Sequence, residues 1–248
     1  MIRMAPRRTI SRVQGFTLTE LAIVLVIVAL LLGGMFVSFG TQRDVANIKT
    51  TEKRLADIRD ALLGFVAVHG RLPCPASPGA ATGTEAVLSG GVCINKWDGF
   101  VPAVTLGIYP TDAQGYAIDA WGNRIRYAVT DVHTNAYTDV NGIFKFWKST
   151  TTPDLHVCST AAGKTANDCA TANVRLSENA VAVLISSGRN GALSPSSADE
   201  VSNISNDKVF VSRTPSQAGS AEGEFDDIVI WISPYILYSR MIAAGQLP

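Results

Sequence analysis

The chain has 248 residues, 47% of them hydrophobic, and its 21 basic residues balance 21 acidic ones for no net charge. That is enough chain for one sizeable domain with its own core. The even balance, without a basic stripe, excludes the usual footprint of nucleic-acid binding, and no nucleic-acid partner is expected.

Four arginines (Arg3, Arg7, Arg8, Arg12) and no acid precede Gly15, and the 24 residues from Phe16 to Phe39 hold a single ionisable one, Glu20. About 20 apolar residues at ~1.5 Å rise cover the ~30 Å hydrocarbon core of a bilayer, so this run predicts a single-pass transmembrane helix. Arginines ahead of it predict a cytoplasmic N-terminus, an inner-membrane anchor and an exported, periplasmic remainder. Glu20 is the anomaly. A carboxylate at the bilayer centre costs at least about 2.5 kcal/mol, so an acid there implies a partner. A secretory signal peptide tolerates no acid near the start of its apolar part and ends in small residues; the stretch from Leu31 to Phe36 offers no such end. A plain signal anchor fits the length but leaves Gly15 and Glu20 unexplained.

Gly15, the Phe16 after it, the Thr17-Leu18-Thr19 spacer, Glu20 and the unbroken aliphatic run together resemble the cleavage and methylation signal of type IV prepilins and type II secretion pseudopilins. The resemblance implies that a membrane-embedded prepilin peptidase cuts between Gly15 and Phe16 and methylates the new N-terminus at Phe16. Glu20 becomes the fifth residue of a mature chain of 233 residues, with 17 basic residues against 21 acidic ones. Cleavage creates an α-amino cation at Phe16, close to Glu20 and to the Glu20 of a neighbouring subunit. A paired charge tolerates low dielectric better than an orphan one, which gives Glu20 an assembly role. Type IV pilins commonly carry a proline in this part of the helix; here the Gly33-Gly34 pair stands in its place.

The helical pattern continues beyond the membrane run. From Thr41 to His69 there is no proline, and Val45, Ile48, Leu55, Ile58, Leu62 and Phe65 recur at three-and-four spacing. One helix from Thr17 to Val68 would be about 80 Å long, with its second half packed on a head. Pro73 and Pro75 end it. The organisation expected is therefore a leader (1–15), a transmembrane and assembly half of the helix (16–39), a periplasmic half (40–69) and a globular head (70–248).

Four cysteines, Cys74, Cys93, Cys158 and Cys169, lie in the exported part, where an even count favours disulfides. Three connectivities are open. The pairs nearest in sequence, Cys74 with Cys93 and Cys158 with Cys169, would each staple a loop poor in apolar residues, for about 2–4 kcal/mol apiece. A zinc site lacks a C-x-x-C pair or a nearby histidine.

In the head, Arg124–Thr130 alternates, with Ile125, Tyr127 and Val129 on one face, and is the clearest strand. Further strands are expected at 143–147, 155–158, 180–185, 209–212 and 228–232, with a long loop over 192–206. Ser233-Pro234 reads as an N-cap with proline at the first helical position, opening a short helix that Gly245 ends. The fold class expected is α+β, a long helix covering an antiparallel sheet, which is also the pilin-like arrangement that the resemblance implies. Asp119-Ala120-Trp121-Gly122-Asn123 is similar to the D-P-W-G-N segment of the major pseudopilin, with Ala120 in place of proline; Trp121 is read as a core anchor and Gly122-Asn123 as a turn.

No convergent set of nucleophile, base and stabiliser is visible. The three histidines, His69, His133 and His156, fall on different elements, and the acids Glu222, Glu224, Asp226 and Asp227 cluster before the last strand. Asp226 and Asp227 are the calcium candidates, since major pseudopilins bind calcium in a late loop, but their spacing fits no ligand pattern and a solvated turn is expected. The function expected is that of a non-enzymatic structural subunit without a cofactor, a minor pilin or pseudopilin whose partners are the prepilin peptidase, other pilin or pseudopilin subunits and the inner membrane. The alternative is a membrane-anchored periplasmic enzyme or binding module with an uncleaved anchor.

Overall fold

The computed structural model describes residues 15–80, 82–149, 152–193, 195 and 197–248, and the backbone alone for 32–41. The predicted leader lies outside the described residues except for Gly15, and Gly33-Gly34 falls in the backbone-only stretch. The chain divides into two compact units, one ending at Val45 and one running from Ala46 to Pro248.

The first unit carries the N-terminal part of helix α1 (Leu18–His69). Its described side chains up to Leu31 are all exposed, Phe16 by 90% and Leu18 by 86%. Among the described residues no helix is long and apolar enough to cross a membrane. The described side chains of the apolar run stop at Leu31, short of the span that the sequence predicts.

In the second unit α1 presents Leu55, Ile58, Leu62, Leu63 and Val66 to the core. The sequence stripe drifts around this surface: Val45 and Ile48 are exposed, while Thr51, Leu63 and Val66 are buried. Helix α1 ends where Gly70 adopts a left-handed φ of 67° and its N–H bonds Val66 O at 2.8 Å, a C-terminal cap that only glycine takes without strain.

The chain then forms β1 (Gly99–Phe100), α2 (Ala103–Leu106), β2 (Arg126–Val129), α3 (Val132–Asn135), α4 (Gly142–Phe146), β3 (Leu155–Cys158), β4 (Arg175–Ala180), β5 (Ala182–Ser186), α5 (Ala198–Ile204), β6 (Val209–Val211), β7 (Ile228–Ile232) and α6 (Pro234–Ala243). One sheet has the order β1-β2-β5-β7, antiparallel throughout. Alternation splits its side chains between two cores. Tyr127, Val129, Ala182, Leu184 and Ile232 meet α1 together with Leu237 and Met241 of α6. Ala128, Val183, Ile185 and Val229 face the other way, onto Leu155, Val157, Ala180 and Phe210 of the second sheet. Strand β5 is buried along its whole length because it lies in the middle of the sheet and is covered on both faces.

The α+β class holds, with a helix on an antiparallel sheet, and three local expectations are corrected. The segment 143–147 is the short helix α4, preceded by Asn141 in a left-handed conformation (φ 60°), and not a strand. The strand expected at 180–185 is β5, which starts at Ala182; Ala180 instead ends β4, which pairs with β3, and Val181 carries the chain from one sheet to the other. The loop expected over 192–206 contains α5, opened by Ser197, whose Oγ accepts from Glu200 N at 3.2 Å. The second sheet, β4-β3-β6, is mixed, with β3 and β6 parallel.

Both nearest-neighbour disulfides are present, Cys74–Cys93 and Cys158–Cys169, and no described cysteine is free. The first loop is also held by Arg71, whose guanidinium makes two 2.8 Å bonds to Glu85, while Glu85 accepts from Cys74 N at 3.1 Å. A bidentate pair of this kind fixes direction as well as proximity.

Candidate processing and assembly site

Gly15, Phe16 and Thr17 precede the first helical residue, Leu18. Thr17 and Glu20 make a reciprocal cap. Thr17 N donates to Glu20 Oε2 at 2.9 Å, and Glu20 N donates to Thr17 Oγ1 at 3.3 Å. The Thr17 hydroxyl adds a 2.8 Å bond to the same carboxylate oxygen. This is the T-x-x-E capping box, which satisfies two N–H groups that the first turn of a helix leaves without partners. Its negative charge also sits at the positive end of the helix dipole. Thus Glu20 already has a partner inside its own chain, a role legible in the spacing from Thr17 that sequence reasoning missed.

A methyl group added at Gly15 would meet no atom within 4 Å. No packing within the described chain therefore demands glycine there.

The remaining sequence candidates are spread over the second unit. His69, His133 and His156 stand on α1, α3 and β3 and do not converge. Burial, foremost, lowers the pKa of His156. Its Nδ1 lies 3.3 Å from Asp168 Oδ1 yet makes no hydrogen bond. Cys169 is close to this pair, but its sulfur is bonded to Cys158, so no thiolate is on offer to a metal there.

In the Asp119–Asn123 segment the anchor is Asp119, not Trp121. Asp119 is 1% exposed; its Oδ1 accepts from Trp121 N (2.9 Å) and Asn123 N (2.8 Å), and its Oδ2 accepts from Ser186 Oγ on β5 at 2.6 Å. Trp121 is only half-buried, while Gly122 takes the expected turn at φ 90°.

The acidic turn before β7 is not solvated, because two of its members enter the protein. Asp227 is 6% exposed and accepts from Asn203 Nδ2 at 2.7 Å. Asp226 Oδ2 accepts from the backbone of Arg189 (2.9 Å) and Asn190 (3.1 Å), and its Oδ1 is buried with no partner among the described residues. Glu200 of α5 joins them, and carboxylate oxygens of the three lie within 4.8 Å of one another. Burial, reinforced by Glu200 and Asp226, pushes the Asp227 carboxyl up to about 7. Burial and the neighbouring Glu200 and Glu224 raise Asp226 too. The S-x-x-E spacing of Ser197 and Glu200, which opens α5 with Ser197 as N-cap, was the sequence signal for the third acid.

The described chain thus has a capped N-terminal helix with Gly15 before it and an α+β head after it, the arrangement that the resemblance implies. Comparison with known families agrees: the model of the prokaryotic N-terminal methylation motif matches residues 10–36. The chain thus carries the N-terminal signal of the type IV pilin and pseudopilin family, that of a prepilin peptidase substrate. No curated protein and no solved structure matches it.

Proposed function

We propose that this chain is a structural subunit of a type IV pilus or a type II secretion pseudopilus, cut after Gly15, methylated at Phe16 and assembled through its apolar helix. The observation that carries the reading is the methylation motif over residues 10–36, laid on a helix whose apolar side chains from Leu18 to Leu31 are exposed. An apolar surface this open needs lipid or a neighbouring subunit to cover it. Before assembly the chain sits in the inner membrane by a single pass, with its N-terminus cytoplasmic and its head in the periplasm. Its partners are the peptidase, the membrane and other pilin or pseudopilin subunits. The two disulfides support an oxidising compartment for the head.

The role is that of a minor subunit without catalytic activity or resident cofactor. A head spanning residues 70–248, with long loops, suits a low-copy position better than dense repetitive packing. The mass of the mature protein tests the assignment. Loss of residues 1–15 together with a methyl group on Phe16, both dependent on the peptidase, is the expected result. An intact N-terminus in peptidase-positive cells overturns it and favours a membrane-anchored enzyme or binding module. A dominant band of this subunit in sheared fibres overturns the minor role alone.

A further inference from the structure

A cleft of about 370 Å³ in the second unit is bordered by Phe100, Arg124, Arg126, Ser187, Glu200 and Asp227, among others. Its charges are segregated by the topology. Arg126 opens β2 and Arg124 lies two residues before it, whereas Asp227 immediately precedes β7 and Glu200 comes from α5. Strand β5 separates β2 from β7, so the backbones at Arg126 and next to β7 at Asp227 stand two strand spacings apart, about 10 Å.

The basic side is held in place without being used up. Arg124 Nε bonds Asp112 at 2.6 Å and Nη2 bonds Gln114 at 3.1 Å; Arg126 Nη2 bonds Asp98 and the carbonyl of Ile204. Both guanidiniums also lie over the Phe100 ring, 5.7 and 5.5 Å from its centroid. Each has five N–H donors, so both retain donors that bond no described protein atom. The acidic side is preorganised by neutral amides: Asn203 donates to Asp227, and Asn190 Nδ2 donates to Glu200 Oε1 at 2.9 Å. Carboxyl oxygens of Glu200 and Asp227, on the cleft, and of Asp226 behind them lie within 4.8 Å of one another, a crowding that a nearby positive charge would relieve.

We propose that this cleft binds a small zwitterion of amino-acid or dipeptide size, its ammonium on Glu200 and Asp227 and its carboxylate on Arg124 and Arg126. An ammonium brings three donors and the positive charge that relieves the acids, and a carboxylate accepts from guanidinium N–H groups with the strength of charge-assisted bonds. A divalent cation would satisfy only the acids and would be repelled by the arginines. The site goes beyond the fibre-subunit reading and does not depend on it.

The test is calorimetric titration of the full chain in neutral detergent with alanyl-alanine, its N-acetylated form, its C-terminal amide and calcium chloride. The free dipeptide is expected to bind, and each capped form, lacking one charge, to bind at least about tenfold more weakly. Glu200→Gln, which keeps the shape and can still accept from Asn190, is expected to weaken the free dipeptide about tenfold and to shrink its advantage over the N-acetylated form. No binding by the free dipeptide, equal binding by the capped forms, or binding by calcium alone overturns the proposal. Should the variant fail to fold, the capped series on the unaltered protein decides.

Discussion

Asp227→Asn should make the pH dependence of stability diverge from that of the unaltered chain. The folded carboxyl of Asp227 titrates at about 7, raised chiefly by burial, against an ordinary value of 3.8. Between those values the folded protein holds a proton that the unfolded chain has released, so stability from this group is complete below pH ~4 and is lost as pH rises through ~7. A difference of about three pH units at ~1.36 kcal/mol each makes the total on the order of 4 kcal/mol. Asparagine keeps the shape and can still accept from Asn203 Nδ2, but never ionises. Urea unfolding followed by circular dichroism, on both proteins in the same detergent between pH 4 and pH 9, measures the gap directly. Groups whose folded pKa is lowered, such as Asp131 and Glu85, affect both proteins alike and cancel in the difference. The variant should gain on the unaltered protein as pH rises, by several kcal/mol at pH 9. Parallel curves would mean that Asp227 is ionised in the fold and that its burial carries no such cost.

Gly15→Asp should leave uncut precursor in the membrane, seen as an unshifted band on blotting; normal processing would show that the enzyme does not require a small residue there. Glu20→Val should be cut normally yet enter sheared fibres poorly, since it removes both the cap on Thr17 and the carboxylate available to the amine of Phe16. Fibre incorporation at the unaltered level would remove the assembly role of Glu20. Leu62→Ala removes a fully buried side chain between α1 and the sheet and should cost about 2–5 kcal/mol in chemical unfolding. Replacing Cys74 and Cys93 together by serine should lower stability by about 2–4 kcal/mol, and no change in the unfolding midpoint would show that Arg71–Glu85 alone holds that loop.

Features set by local chemistry were legible in the sequence. The run of helix formers without proline, the Ser233-Pro234 cap and the alternation through Ile125, Tyr127 and Val129 each dictate their element at short range, and each is present. The prepilin signal is local as well, and a family model reads the same residues. The expectations that failed depend on contacts distant in sequence. The apolar residues of 143–147 have the composition of a strand, but in the fold they form a helical turn with Ile143 buried against the α1 side of the core. The apolar run through Val181 conceals a change of sheet because β4 pairs with β3 while β5 pairs with β2 and β7, partners that lie far away in the chain. The acids before β7 look like a solvated turn until α5 brings Glu200 to them from 26 residues away. The Thr17–Glu20 capping box and the Ser197 N-cap with Glu200 three residues on are both readable from spacing alone, but the charge of Glu20 masks the first and the polar composition of 192–206 masks the second.

The cap on Thr17 bears on how processing proceeds. Helix α1 begins two residues past the proposed scissile bond, so the peptidase would meet a Gly15-Phe16 pair outside the helix and have no turn of it to unwind. The bonds joining Thr17 to Glu20 use no atom of Gly15. Removing the leader would therefore leave every bond of the Thr17–Glu20 cap in place, and the proposed subunit would have the same helix start before and after cleavage.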